Sequence, residues 1–146
     1  MISPSLIFSE YLIDEGIFTD SSLNVNWPMY ISTMPDADTV ESDVGTIYDT
    51  EGLKDGRIMV DGENIFHKGN QIRIRSKNYA DGWAKAEEVI ALFEAVADVS
   101  IVINSITYEI KNVTQTTSII PLGVEEGTKR RDLFTINFLS TIKEVV

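Results

Sequence analysis

Cysteine is absent from all 146 residues. That excludes disulfides, thiolate catalysis, zinc–cysteine sites and cysteine-ligated iron–sulfur clusters. Histidine occurs once, as His67. A Ser–His–Asp hydrolase would have to use it, and no Gly-x-Ser-x-Gly elbow is present to supply the nucleophile. Long apolar runs are missing as well, so nothing reads as a membrane-spanning helix. The start, Met1-Ile2-Ser3-Pro4, has neither a basic n-region nor an apolar h-region, which predicts no signal peptide and a cytoplasmic site of folding or assembly. The glycines do not fall into a phosphate-binding loop or a dinucleotide fingerprint; Gly52, Gly56, Gly62 and Gly69 are spaced as turns.

What is present is an ordinary globular composition, 43% hydrophobic and 24% charged, at a length that fits one domain over residues 1–146. The charge is unevenly placed. Residues 1–66 hold 13 acids against only Lys54 and Arg57, whereas residues 67–146 balance 10 acids with 10 bases. The whole net charge of −11 therefore lies in the first part. A surface of that sign repels phosphate and lacks the footprint of a nucleic-acid binder. Either it keeps a monomer soluble, or it meets a basic surface elsewhere.

Local signals predict two helices among strands. Ser3-Pro4 reads as an N-cap and first helical residue, with Gly16 as the stop. A second, amphipathic helix of about 18 residues is expected from Asn78, with Tyr79, Trp83, Ala86, Ile90, Phe93 and Ala97 as its core stripe. Strands are expected over Trp27–Thr33, Val44–Tyr48, Arg57–Val60 and Gln71–Lys77. Further strands follow at Ser100–Ile103, Ile106–Thr114, Ser118–Val124 and Leu133–Val145. Residues 49–56, Asp61-Gly62, Lys68-Gly69-Asn70, Asn104-Ser105 and 125–128 read as turns. Pro121 confines its strand to an edge or a bulge. Hairpin-length connections without repeated strand–helix–strand crossovers predict an α+β fold, a mostly antiparallel sheet backed by two helices.

No constellation carries catalysis or a cofactor. Asp36-Ala37-Asp38 and the Asp49/Glu51/Asp55 group resemble a hard-cation site only in charge: an EF-hand loop from Asp49 would need glycine where Lys54 stands. The expectation is no metal, no cofactor and no catalytic residue. The feature that asks for an explanation is cationic. Arg73, Arg75 and Lys77 share one side of a strand, and Lys129, Arg130 and Arg131 cluster at the last turn. Both groups are candidate contacts for Asp36, Asp38, Glu41 and Asp43, within one chain or between copies; a merely solvated face is the alternative.

The succession Ile72-Arg73-Ile74-Arg75, Tyr79-Ala80-Asp81-Gly82-Trp83-Ala84-Lys85-Ala86, Ile106-Thr107-Tyr108, Pro121-Leu122-Gly123 and Phe134-Thr135-Ile136-Asn137-Phe138 resembles the minor capsid and tail-terminator (tail-completion) proteins of long-tailed bacteriophages. The resemblance covers most of the chain from Ser5 onward. It implies a non-enzymatic virion subunit, made in the host cytoplasm, that assembles into a ring, commonly of six copies. Such a ring docks on the last ring of the tail tube, stops polymerisation and offers its other side to the head connector at the tail–neck junction. DNA only passes through it, and no membrane is involved. Another neck-joining protein, or a small non-enzymatic binding module, would share much of this pattern.

Overall fold

The computed structural model describes residues 2–36, 39–53, 65–125 and 129–145. Helix α1 runs Pro4–Asp14, and Ser3 caps it by accepting from Ser5 N. A carboxylate from a distant strand completes the cap: Asp49 Oδ1 accepts from both Ser5 N and Ser5 Oγ at 3.0 Å. An anion there suits the positive end of the helix dipole. Gly16, with φ +76°, ends the turn that follows, as expected of a C-terminal glycine. Helix α2 spans Tyr79–Glu94, with the Asn78 side chain accepting from Ala80 N.

The strands are β1 (Thr19–Asp20), β2 (Pro28–Ile31), β3 (Val44–Leu53), β4 (Ile65–Ser76), β5 (Val99–Ile103), β6 (Ile106–Gln115), β7 (Ile120–Val124) and β8 (Asp132–Val145). They form one sheet in the order β1-β2-β3-β4-β8-β6-β5, with β7 also paired to β8. Most pairings are antiparallel; β1–β2 and β2–β3 are parallel. The α+β expectation is met. The Asn104-Ser105 turn has both residues at positive φ, which matches the right-handed twist of a two-residue hairpin. Pro121 sits in a strand that pairs, among the described residues, only with β8, with a register shift between Pro121 and Gly123. Pro121's edge-or-bulge signature is realised in both senses.

Two turn readings are overturned. Residues 49–53 continue β3, and Lys68-Gly69-Asn70 lies inside β4. Sheet pairing on both sides overrides local turn propensity there: Gly69 opposes Thr50 on one side and Leu139 on the other. A Cβ on Gly69 would come within 2.4 Å of Glu51 O, so the tight approach of β3 requires the glycine. The expected strand at 57–60 and the Asp61-Gly62 turn fall outside the described residues, as do Asp38 and most of the 125–128 turn.

Both helices pack on one face of the sheet. Ile7, Phe8 and Leu12 of α1 join Val89, Ile90 and Phe93 of α2 over Ile72, Ile74, Ile136 and Phe138. Phe93 is wedged edge-on between Phe8 (5.5 Å) and Phe138 (4.6 Å). Trp83 departs from its expected place in the core, being 37% exposed, and Tyr79 is 50% exposed. They lie at the start of α2, where the helix stands over the margin of the sheet, and stack on each other beside Phe134. None of the described helices is long and apolar enough to cross a membrane.

Candidate assembly interface

A parallel β2–β3 pair forces the chain to return across the sheet before β3 can start. Arg75 fastens the described residues of that crossover, 32–36 and 39–43. Its Nε donates to Ser42 O (3.1 Å), Nη1 to Pro35 O (2.6 Å) and Nη2 to Glu41 O (3.0 Å). Asp36 Oδ1 stands 3.9 Å from the same Nη1. Arg75 is 1% exposed. Strand alternation does place it opposite Ile74, but the crossover then covers it, so it is no free surface cation.

Arg131 is enclosed in the same cluster at 2% exposure. Its Nε donates to Glu125 and its Nη2 to Asp36. Burial lowers the pKa of Arg75, and the neighbouring charge of Arg131 lowers it further. For Arg131, burial pulls down, but hydrogen bonds to Glu125 and Asp36 outweigh it and the pKa rises. Of the acidic residues singled out by sequence, Asp36 thus meets two of the six cations within one chain. Asp43 is committed as well, accepting from Ser76 Oγ and Lys77 N at 3.0 Å each. Glu41 contributes its backbone, accepting Arg75 and donating to Asn24 Oδ1.

The remaining cations face outward. Arg73 is exposed on the sheet face away from the helices, its guanidinium over the Tyr48 ring at 5.4 Å. Lys77, Lys129 and Arg130 are exposed at the end of the sheet where α2 begins. His67 lies with Thr141, Nδ1 to Oγ1 3.1 Å, beside a shallow cavity of about 220 Å³ lined by Asn112, Thr114 and Leu139. Asp49, once grouped with a possible cation site, is engaged with α1 and Asn70.

Two surfaces escaped the residue-by-residue reading. Strand β7, Ile-Pro-Leu-Gly-Val, is exposed along its whole length. At the other margin a groove of about 420 Å³ opens between α1 and β2, lined by Leu6, Ile13, Met29 and Ile31 with Glu10 and Asp20. The signal for β7 was available: an apolar strand marked as an edge by Pro121 cannot bury both faces. The groove had none, because it depends on how α1 sits over β2.

A family model described as bacteriophage tail terminator protein matches residues 11–139. The chain belongs to the bacteriophage tail terminator family. The terminator is thereby a structural protein of phage tail assembly, a component of the virion that contacts other tail or head proteins. The search of curated proteins returned no match. Among solved structures, one chain aligns over 100% of this sequence and 98% of its own at 12% identity, with a TM-score of 0.46.

Proposed function

We propose that the terminator assembles into a closed ring that caps the finished tail tube, ends its polymerisation and presents its other side to the head connector. The ring belongs at the tail–neck junction of the virion, is built in the host cytoplasm, and lets DNA pass without reading its sequence. Its partners are further copies of itself, the major tube protein and the neck protein. The observation that carries this reading is the family match over residues 11–139, joined to a sheet that leaves apolar residues bare at both margins. Isolated monomers rarely leave such margins uncovered. Light scattering on purified protein tests it. A ring has a mass several-fold above the 16.3 kDa chain; a particle that stays at 16.3 kDa with tail tubes present contradicts it.

A further inference from the structure

Across the sheet, one row of directly opposed residues runs Asp20, Met29, Gly45, Ile74, Phe134, Pro121. It starts at Asp20 of β1, which lines the α1–β2 groove, and ends at β7, so the two margins lie at the same level of the strands. Five inter-strand steps of about 4.8 Å separate them, roughly 24 Å along the sheet. The margins are also unlike each other. On the β7 side, Ile120, Leu122 and Val124 are exposed, and Pro121 pairs opposite Phe134, against which Tyr79 and Trp83 pack. Lys77 and Arg130 are exposed there, with Asp81 and Asp132 the acids nearby and Glu125 held by Arg131. On the β2 side the α1–β2 groove sets Leu6, Ile13, Met29 and Ile31 among Ser9, Ser21 and Tyr30, with the carboxylate of Glu10 and that of Asp20, which also accepts from Ser22 N. No Lys or Arg occurs in residues 1–53, and although Lys85 reaches Ile17 O nearby at 2.9 Å, the charged residues that line the groove itself are both acids.

Two like margins cannot pair well, since acidic would face acidic. Unlike margins can: apolar against apolar, cation against carboxylate. We propose that the β7 margin of one copy seats in the α1–β2 groove of the next, with Leu122 entering the groove and Arg130 facing its carboxylates. The occupant is a second copy because both halves of the contact are on this chain, at matching height and of opposite character. A head-to-tail contact of this kind repeats, and it closes into a ring when the rotation per copy allows. Pro121 and the bulge after it interrupt the ladder of main-chain donors, so side chains rather than a continued sheet make the joint. Apolar anchors supply most of the affinity, and the charges steer docking and fix its sense. This inference rests on the ring reading and specifies its joint.

The test uses two full-length variants, Leu122→Asp and Ile31→Asp. Both residues are exposed, at 48% and 37%, so each chain keeps its fold, which circular dichroism and melting temperature verify. Light scattering should give wild type at ring mass and each variant alone at 16.3 kDa. Mixed in equal amounts, the variants should give a particle of twice that mass and nothing larger, because each retains the surface the other has lost. If either variant assembles alone like wild type, or the mixture stays monomeric while wild type forms rings, the joint is elsewhere. If wild type itself never exceeds monomer mass, the ring reading falls too. If the groove instead receives the tube protein, Ile31→Asp rings form normally but fail to bind tubes, which likewise overturns the joint.

Discussion

The guanidinium groups of Arg75 and Arg131 converge on one carboxylate oxygen, Oδ1 of Asp36. Three segments far apart in sequence are tied there: the crossover before β3, the end of β4 and the entry to β8. Arg75→Ala strips three backbone carbonyls of their donor and leaves Asp36 with Arg131 alone. Asp36 is itself exposed, so the cost is that of carbonyls left without a donor, about 1–3 kcal/mol. Urea unfolding should show a loss of that size. Limited proteolysis should cut the variant beside Pro35 or Glu41 and Ser42 faster than wild type.

Phe93 and Trp83 share one helix but differ in surroundings. Phe93 is enclosed between Phe8 and Phe138, so Phe93→Ala should destabilise by about 3–5 kcal/mol. Trp83 is 37% exposed, and Trp83→Ala should cost clearly less than Phe93→Ala in the same denaturation assay. Equal losses would mean that Trp83 is covered within the single chain.

Gly82 tests packing against propensity. Glycine to alanine within a helix gains about 1 kcal/mol in propensity. A Cβ at Gly82, however, would lie 2.5 Å from Phe134 Cε2, and Phe134 is fully buried. Overpacking of a filled core costs about 1–3 kcal/mol, so Gly82→Ala should lower the melting temperature despite its better helix former.

These three sites show what was readable and what was not. The caps at Ser3 and Asn78, the Asn104-Ser105 hairpin and the edge character of Pro121 are local, each set by a few neighbouring residues. So is the alternation that buries Tyr108 and Ile110 in β6. The fate of Arg75 is not local. Period two placed it on the face away from the helices, and only the crossover, held by carbonyls 33 to 40 positions upstream, buries it. Trp83 fits the helical stripe by spacing, but spacing cannot tell where the sheet beneath ends. Likewise, Gly69 and Asn70 are turn residues in isolation and strand residues once β3 and β8 flank them. Of the candidate contacts, the cations were readable as clusters, whereas their division into two buried and four exposed depended on tertiary structure.

A pH prediction follows from Asp98, which is exposed, and its half-buried neighbours Lys111 and Glu109. Lys111 Nζ donates to Glu109 at 2.6 Å and to Asp98 at 3.0 Å. The Lys111 hydrogen bond, and then its charge, hold the Asp98 carboxyl below the usual carboxylate range. Bonds to Glu109 and Asp98 raise Lys111. The Asp98 contribution is present at neutral pH and is lost as pH falls through its lowered pKa. The Lys111 contribution is also present at neutral pH and is lost only as pH rises through its raised value. In a carboxyl NMR titration, Lys111→Met should move the Asp98 midpoint upward. An unmoved midpoint would show that the pair does not form in solution.

The central claim, a ring that caps the tail tube, is tested most directly by adding the terminator to polymerising tail-tube protein and imaging the products by electron microscopy. The account predicts that tubes stop lengthening, that each stopped tube carries the terminator at one end only, and that Leu122→Asp fails to stop them at equal concentration. Tubes that keep growing with wild-type protein present, or protein bound along their sides rather than at an end, would contradict it.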